Sequence, residues 1–161
     1  MIVRPEEEAD EAAIRVLLEA AFPGPDEARL VDRLRADGDV ELSLVAVDDT
    51  IVGHILFSPM TAPFRALGLA PVAVLPGRQG EGVGGVLIRD GLARAAAAGW
   101  EGVFVLGQPD YYRRFGFDPA MAKGFSSPYA GPYLMARSLG GKALPVTSGR
   151  IDYAPAFAAL G

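Results

Sequence analysis

Residues 75–88 read LPGRQGEGVGGVLI, with glycines at 80, 82, 84 and 85 where an apolar run opens a helix. Glycine costs about 1 kcal/mol relative to alanine at a helical position, so four of them need a physical reason. Close approach supplies one: the free amides of a helix N-terminus, with no side chains in front, cradle a phosphate. A tight strand-to-helix turn alone would need only one or two glycines. The rest of the chain must say which phosphate.

Before the loop, MIVRP (1–5) reads as a short strand that Pro5 stops, since proline cannot donate to a ladder. Ala13, Ile14, Leu17, Leu18 and Ala21 then recur at helical spacing after Asp10. PGP at 23–25 breaks that helix, and Asp26 is placed to cap a second one carrying Leu30, Val31 and Leu34. LSLVAV (42–47), the turn residues Asp48 and Asp49, and TIVGHILFSP (50–59) predict a β-hairpin. LGLAPVAVLP (67–76) is a further strand, in which Pro71 implies a bulge or a sheet edge. After the loop, Val83/Leu87 and Ile88/Leu92 are i,i+4 pairs of a helix running to Ala98, with Gly99 placed to end it. VFVL (103–106) reads as a buried strand and QPDYYRRFGF (108–117) as a short helix with a glycine stop. Beyond residue 120 only weak strands, near 133–138 and 150–153, are suggested.

With 161 residues, half of them hydrophobic and 22% charged, the chain is expected to form one globular domain spanning 1–161. No apolar run approaches the roughly 20 residues of a membrane span, and MIVRPEEEADE lacks the pattern of a signal peptide. No membrane association and a cytoplasmic location are therefore expected. The absence of cysteine fits that compartment and removes disulfides, thiolate zinc sites and a cysteine nucleophile. A net charge of −5 argues against coating nucleic acid and suits a cationic partner such as an amine.

Among glycine-loop chemistries, a P-loop requires lysine and then serine or threonine after its last glycine, whereas Val86 and Leu87 follow here. Gly80, Gly82 and Gly85 satisfy G-x-G-x-x-G, the dinucleotide fingerprint of an oxidoreductase. That fingerprint normally follows its strand at once, but residues 75–79 intervene, and Glu101 and Asp110 are poor stand-ins for the acidic ribose contact. VAVLPGRQGEGVG (72–84) instead resembles the acyl-CoA motif of the GNAT superfamily of N-acyltransferases, through Ala73, Val74, Pro76, Gln79, Gly82 and Gly84. IVRPEEEADEAAIRVLLEAAF resembles that family's first strand and helix, and LVAVDDTIVGHILF its second hairpin. Tyr112-x-x-x-Gly116-Phe117 resembles its tyrosine-containing segment after the fifth strand.

The resemblance implies an α/β fold with a mixed, mostly antiparallel sheet, splayed between its fourth and fifth strands and flanked by about four helices. It implies acetyl-CoA as the acyl donor, without a metal. The pyrophosphate of coenzyme A would meet Arg78, Gln79, Gly80, Glu81, Gly82, Val83, Gly84 and Gly85, and the pantetheine arm Ala73 and Val74. Gln108 stands near where many members hold the pantetheine with an asparagine.

Acetyl transfer to an amine needs a proton acceptor, because a lysine-like amine has a pKa near 10.4, and a partner for the departing thiolate. Tyr112 matches the family's general acid, although Tyr111, Tyr112, Phe115 and Phe117 also suit an aromatic anchor for the short helix. Many relatives place a carboxylate on the strand before the loop, but LGLAPVAV has none. His54, the only histidine, and Glu27 are the base candidates; a structural strand histidine, a solvated helix-start carboxylate and a water relay are the alternatives. The expected function is acetyl transfer to a small-molecule or peptide amine by direct attack in a ternary complex. A non-catalytic acyl-CoA sensor is the alternative, and an edge strand near the C-terminus could support a homodimer.

Overall fold

The computed structural model describes residues 1–159. Six strands form one sheet in the order β1-β2-β3-β4-β5-β7. They are β1 (Ile2–Pro5), β2 (Leu42–Asp48), β3 (Thr50–Pro59), β4 (Ala66–Val74), β5 (Gly102–Leu106) and β7 (Leu134–Ser138). Every pairing is antiparallel except β4 with β5. A two-residue parallel ladder joins β6 (Phe125–Ser126) to β8 (Gly149–Arg150).

Helices cover both faces. The 15-residue α3 (Val83–Ala97) buries Val83, Leu87, Ile88 and Leu92 against Ile55, Phe57, Leu67, Val103 and Val105. Gly91 lets α3 come close, since a Cβ there would collide with the Phe57 ring. Opposite lie α1 (Glu11–Ala21) and α2 (Asp26–Asp37), whose Ile14, Leu17, Leu18, Val31 and Leu34 pack with Val45, Leu56 and Ala73. The C-terminal turn at Pro155–Ala159 joins this layer through Ala156 and Phe157. Short helices α4 (Pro109–Tyr112) and α5 (Pro119–Ala122) follow β5. Gly38 and Gly116 end their helices at φ 74° and 87°, as glycine allows.

Several local expectations need correction. Asp26 is the first helical residue of α2, not its cap; Pro25 holds the cap position and no side chain bonds there. Pro71 lies on a central strand, with β3 on one side and β5 on the other. The bulge it implied is present: Ile55 pairs with Val72 but Phe57 with Leu69, so the ladder skips Ala70 and Pro71. At the end of the chain, the strand suggested at 150–153 is the two-residue β8 plus one bridge from Asp152 to Thr61.

The sheet opens along its middle. β4 and β5 pair only at Ala66–Gly102, Leu67–Val103 and Gly68–Phe104. Beyond Gly68 the two strands diverge, which is the splay expected between the fourth and fifth strands.

Candidate active site

Two features meet at the diverging ends of β4 and β5. The first is the glycine loop. Val74 leads into a 3-10 turn at Pro76–Arg78, and Gly82 starts α3 in the left-handed region at φ 87° with no side-chain cap. The first helical bond runs from the Val86 amide to the Gly82 carbonyl, so the amides of Val83, Gly84 and Gly85 precede the ladder. A Cβ built on Gly80 or Gly82 would meet nothing within 4 Å, so the loop is open at those two glycines, whereas one on Gly84 would lie 3.1 Å from the Tyr111 hydroxyl.

The loop's polar side chains brace it. The Gln79 side-chain amide donates to the Val74 carbonyl at 3.1 Å. Arg78 donates to Glu81 at 2.8 Å and to Asp48 at 2.9 Å, so two carboxylates already offset its charge. Nearer α3, the Arg89 guanidinium lies 4.9 Å from the Phe115 ring centroid and the Arg114 guanidinium 5.0 Å from that of Tyr111. Neither arginine forms an ion pair among the described residues. Both therefore carry positive charge without a carboxylate partner among the described residues.

The second feature is a cavity of about 480 Å³ on the α1–α2 side of the fork. Leu69, Ala70, Pro71 and Val72 of β4 form one wall, with Leu106 and Tyr112 across the opening. Phe22, Glu27 and Leu30 close it from α1 and α2, and Tyr129, Tyr153 and Phe157 from the C-terminal segment. Among the described residues Glu27 is its one charged lining group. The walls are otherwise apolar or aromatic, which suits a ligand with an apolar body and one cationic end.

Tyr112 is anchored as the aromatic alternative foresaw. Its ring packs edge-on to Tyr111 at 5.0 Å and to Phe117 at 5.8 Å. Gly107 leaves room for it, since a Cβ there would lie 2.5 Å from the Tyr112 ring. Its hydroxyl forms no hydrogen bond among the described residues, and burial, with Tyr111 adding to it, pushes the pKa up to about 12. At neutral pH that hydroxyl keeps its proton, and Tyr112 lines the cavity.

His54 lies elsewhere. It is fully buried, its Nε2 is 2.8 Å from the Ser43 hydroxyl, and it does not line the cavity. Glu6 is 3.8 Å from Nε2 and accepts a 2.9 Å bond from Arg35 of α2. Burial lowers the imidazole pKa more than Glu6 raises it, so His54 is neutral at pH 7. The group ties β1, β2, β3 and α2 together. Tyr112 and Glu27 thus share the cavity while His54 does not, and Gln108 is exposed with its carbonyl accepting the Tyr111 and Tyr112 amides.

Sequence reasoning missed Phe22, Tyr129, Tyr153 and Phe157 as cavity residues. The surplus of aromatics in an otherwise irregular C-terminal stretch was the signal that could have found three of them.

Known proteins match this arrangement. The family model described as the acetyltransferase (GNAT) family matches residues 11–117. The uncharacterized N-acetyltransferase YjhQ of Escherichia coli K12 is 41% identical over 136 residues, covering 78% of this chain and 75% of its own. The crystal structure of the GNAT family N-acetyltransferase YhbS from Escherichia coli in complex with CoA superimposes with a TM-score of 0.92. It is 32% identical, covering 99% of this chain and 93% of that one. A GNAT family acetyltransferase from Brucella melitensis, crystallised with acetyl-CoA, gives a TM-score of 0.81 at 40% identity, covering 97% of each chain. With the family model spanning most of the chain and the strands forking beside the glycine loop, this protein belongs to the GNAT acetyltransferase family.

Proposed function

We propose that the protein transfers an acetyl group from acetyl-CoA to a primary amine held in the cavity at the fork, by direct attack within a ternary complex. The observation that carries this is the pairing of Glu27 and Tyr112 on the walls of one cavity that opens where β4 and β5 part.

The residues fit the donor. The amides of Val83, Gly84 and Gly85, which precede the helical ladder at the positive end of the α3 dipole, suit the pyrophosphate. Arg89 and Arg114 add positive charge nearby. The edge of β4 left unpaired beyond Gly68 leaves backbone groups for the amides of the pantetheine arm, with Ala73 and Val74 at its far end. Acetyl-CoA supplies an activated acyl group on sulfur.

Glu27 attracts the ammonium form of the acceptor into an apolar cavity and takes its proton, directly or through water, leaving the nitrogen lone pair free. The apolar walls exclude bulk water and so limit hydrolysis. Tyr112 holds its proton on the phenolic oxygen and offers it to the departing sulfur. With a pKa of about 12 against about 8.5 for an ordinary thiol, complete transfer would be uphill by roughly 5 kcal/mol. Tyr112 is therefore better suited to a hydrogen bond to the developing thiolate than to full protonation. That refines the general-acid role.

Glu27 also speaks against a silent acyl-CoA sensor, because α2 brings to the cavity the carboxylate that β4 lacks. Free-thiol release from acetyl-CoA, measured with a panel of primary amines, tests the proposal. Amine-dependent release is expected, and coenzyme A binding with no release for any amine would refute it.

A further inference from the structure

Tyr153 stands out among the residues that the transfer chemistry does not use. Its ring sits where the sheet opens: Gly68 is the last β4 residue paired with β5, and a Cβ there would come within 2.6 Å of the Tyr153 ring. Glycine at 68 thus makes the space that the ring fills. Tyr129 packs edge-on to it at 5.6 Å and Phe157 in a tilted arrangement at 5.0 Å, and all three line the cavity.

The hydroxyl is closed to solvent and has no hydrogen-bond partner among the described residues. Burial, then Tyr129 and Tyr112 nearby, push its pKa up, so it keeps its proton. Both of those tyrosines line the same cavity as Tyr153. A buried hydroxyl without a partner is destabilising, and such groups call for an explanation. A phenylalanine would fill the same space without that cost.

We propose that the Tyr153 hydroxyl recognises the acyl acceptor, by a hydrogen bond to a polar atom that the acceptor carries beside its amine. The inference rests on the cavity being the acceptor site. Tyr153 packs with the α1–α2 layer and not with α3, so its contact belongs to the acceptor and not to the phosphates of the donor. For an acceptor to reach the closed hydroxyl Tyr129 has to turn aside, and its own hydroxyl is held by a single 3.5 Å contact to the Phe157 carbonyl. The acceptor class that follows is a primary amine on an apolar or aromatic body that also carries a hydroxyl or amide. Glu27 reads the cation, the aromatic walls the body and Tyr153 the second polar atom.

Phenylalaninol and 2-phenylethylamine share the amine and the ring and differ in one hydroxymethyl group, so they isolate the contact. Thermal shifts with each amine, in the presence of coenzyme A, give their affinities for the parent and for Tyr153→Phe. The parent should bind phenylalaninol roughly 3- to 10-fold more tightly, and the variant should lose that preference while binding 2-phenylethylamine as before. Without ligand, the variant should melt at or above the parent, because an unsatisfied buried hydroxyl has gone. A parent without the preference, a variant that keeps it, or a variant melting well below the parent would each overturn the proposal. Preference without acetyl transfer to either amine would support the Tyr153 contact and refute the transferase proposal, so the two can fail separately.

Discussion

Replacing Tyr112 by phenylalanine removes one oxygen and keeps the ring that Tyr111, Phe115 and Phe117 surround at centroid distances of 5.0, 6.4 and 5.8 Å. The hydroxyl makes no hydrogen bond within the protein, so its loss leaves no partner unsatisfied and the melting temperature should not fall. The kinetic cost is bounded by the hydroxyl's acidity. Because its pKa is raised to about 12, it gives up its proton reluctantly, and on the proposed mechanism its contribution is chiefly a hydrogen bond to a charged sulfur. Such bonds are worth about 1.5–3 kcal/mol, or roughly 10- to 100-fold in kcat, at the low end of general-acid effects. The loss should appear equally in kcat and kcat/KM in a free-thiol assay, because the contact exists only in the transition state. The same pKa means that the parent's pH–rate profile has no falling limb from Tyr112 below about pH 11. An unchanged kcat would make Tyr112 a packing residue. A loss far above 10³-fold, or an alkaline limb near pH 9, would show that the proton is transferred outright.

Coenzyme A at 100 times its Kd should raise Tm by roughly 5–10 °C, whereas NADH should not; a shift with NADH alone would restore the dinucleotide alternative. Glu27→Gln should cut kcat/KM for cationic amines by roughly 10-fold or more with little change in acetyl-CoA affinity, and equal loss for donor and acceptor would count against an acceptor-side role. Glu6 offers a test away from the site: burial opposes its ionisation, but His54, Ser43 and Arg35 outweigh it and bring the carboxyl pKa down to about 2. A depressed carboxylate stabilises the fold above its unfolded pKa near 4.5 and loses that contribution as pH falls toward 2. Urea unfolding of the parent should therefore lose about 2 kcal/mol more across that window than Glu6→Gln, a figure discounted for solvent screening, and parallel curves would refute the linkage.

The readable parts of the sequence are those where local chemistry decides structure. Glycines at 80 and 82 hold positive φ, Pro71 marks the bulge, and Gly99 ends α3 at φ 88°. The family pattern over the first 118 residues correctly implied a splayed sheet. What lay hidden depends on distant partners. β6 and β8 are two residues each, and Ile151 is fixed by bonding its amide to the Ser126 carbonyl, 25 positions earlier. No periodicity can announce a two-residue ladder. Asp26 looked like a cap because the residue type suits one, yet the chain entered the helix one position sooner, through Pro25. His54 was ambiguous for a similar reason: only the arrival of Glu6 from β1's end, Ser43 from β2 and Arg35 from α2 shows which layer it serves.

The missing carboxylate of β4 and the position of the cavity have a common origin. Residues Leu69–Val72 are all apolar, and Pro71 has no amide hydrogen to donate on either side. The bulge opposite β3 uses Ala70 and Pro71, so the strand cannot hold regular ladders to both neighbours there, and the parallel pairing to β5 stops at Gly68. The wall this creates is apolar and has no side chain that can carry a proton. Chemistry requiring a charge must then come from outside the sheet. Glu27 from α2, with Tyr112, Tyr129 and Tyr153, lines the otherwise apolar fork. On the proposed function, donor binding is thereby left to backbone amides along the loop and strand, and acceptor choice to side chains from helices and the C-terminal segment. Substitutions among Phe22, Glu27, Tyr129 and Tyr153 should therefore change which amine is used before they change whether coenzyme A binds.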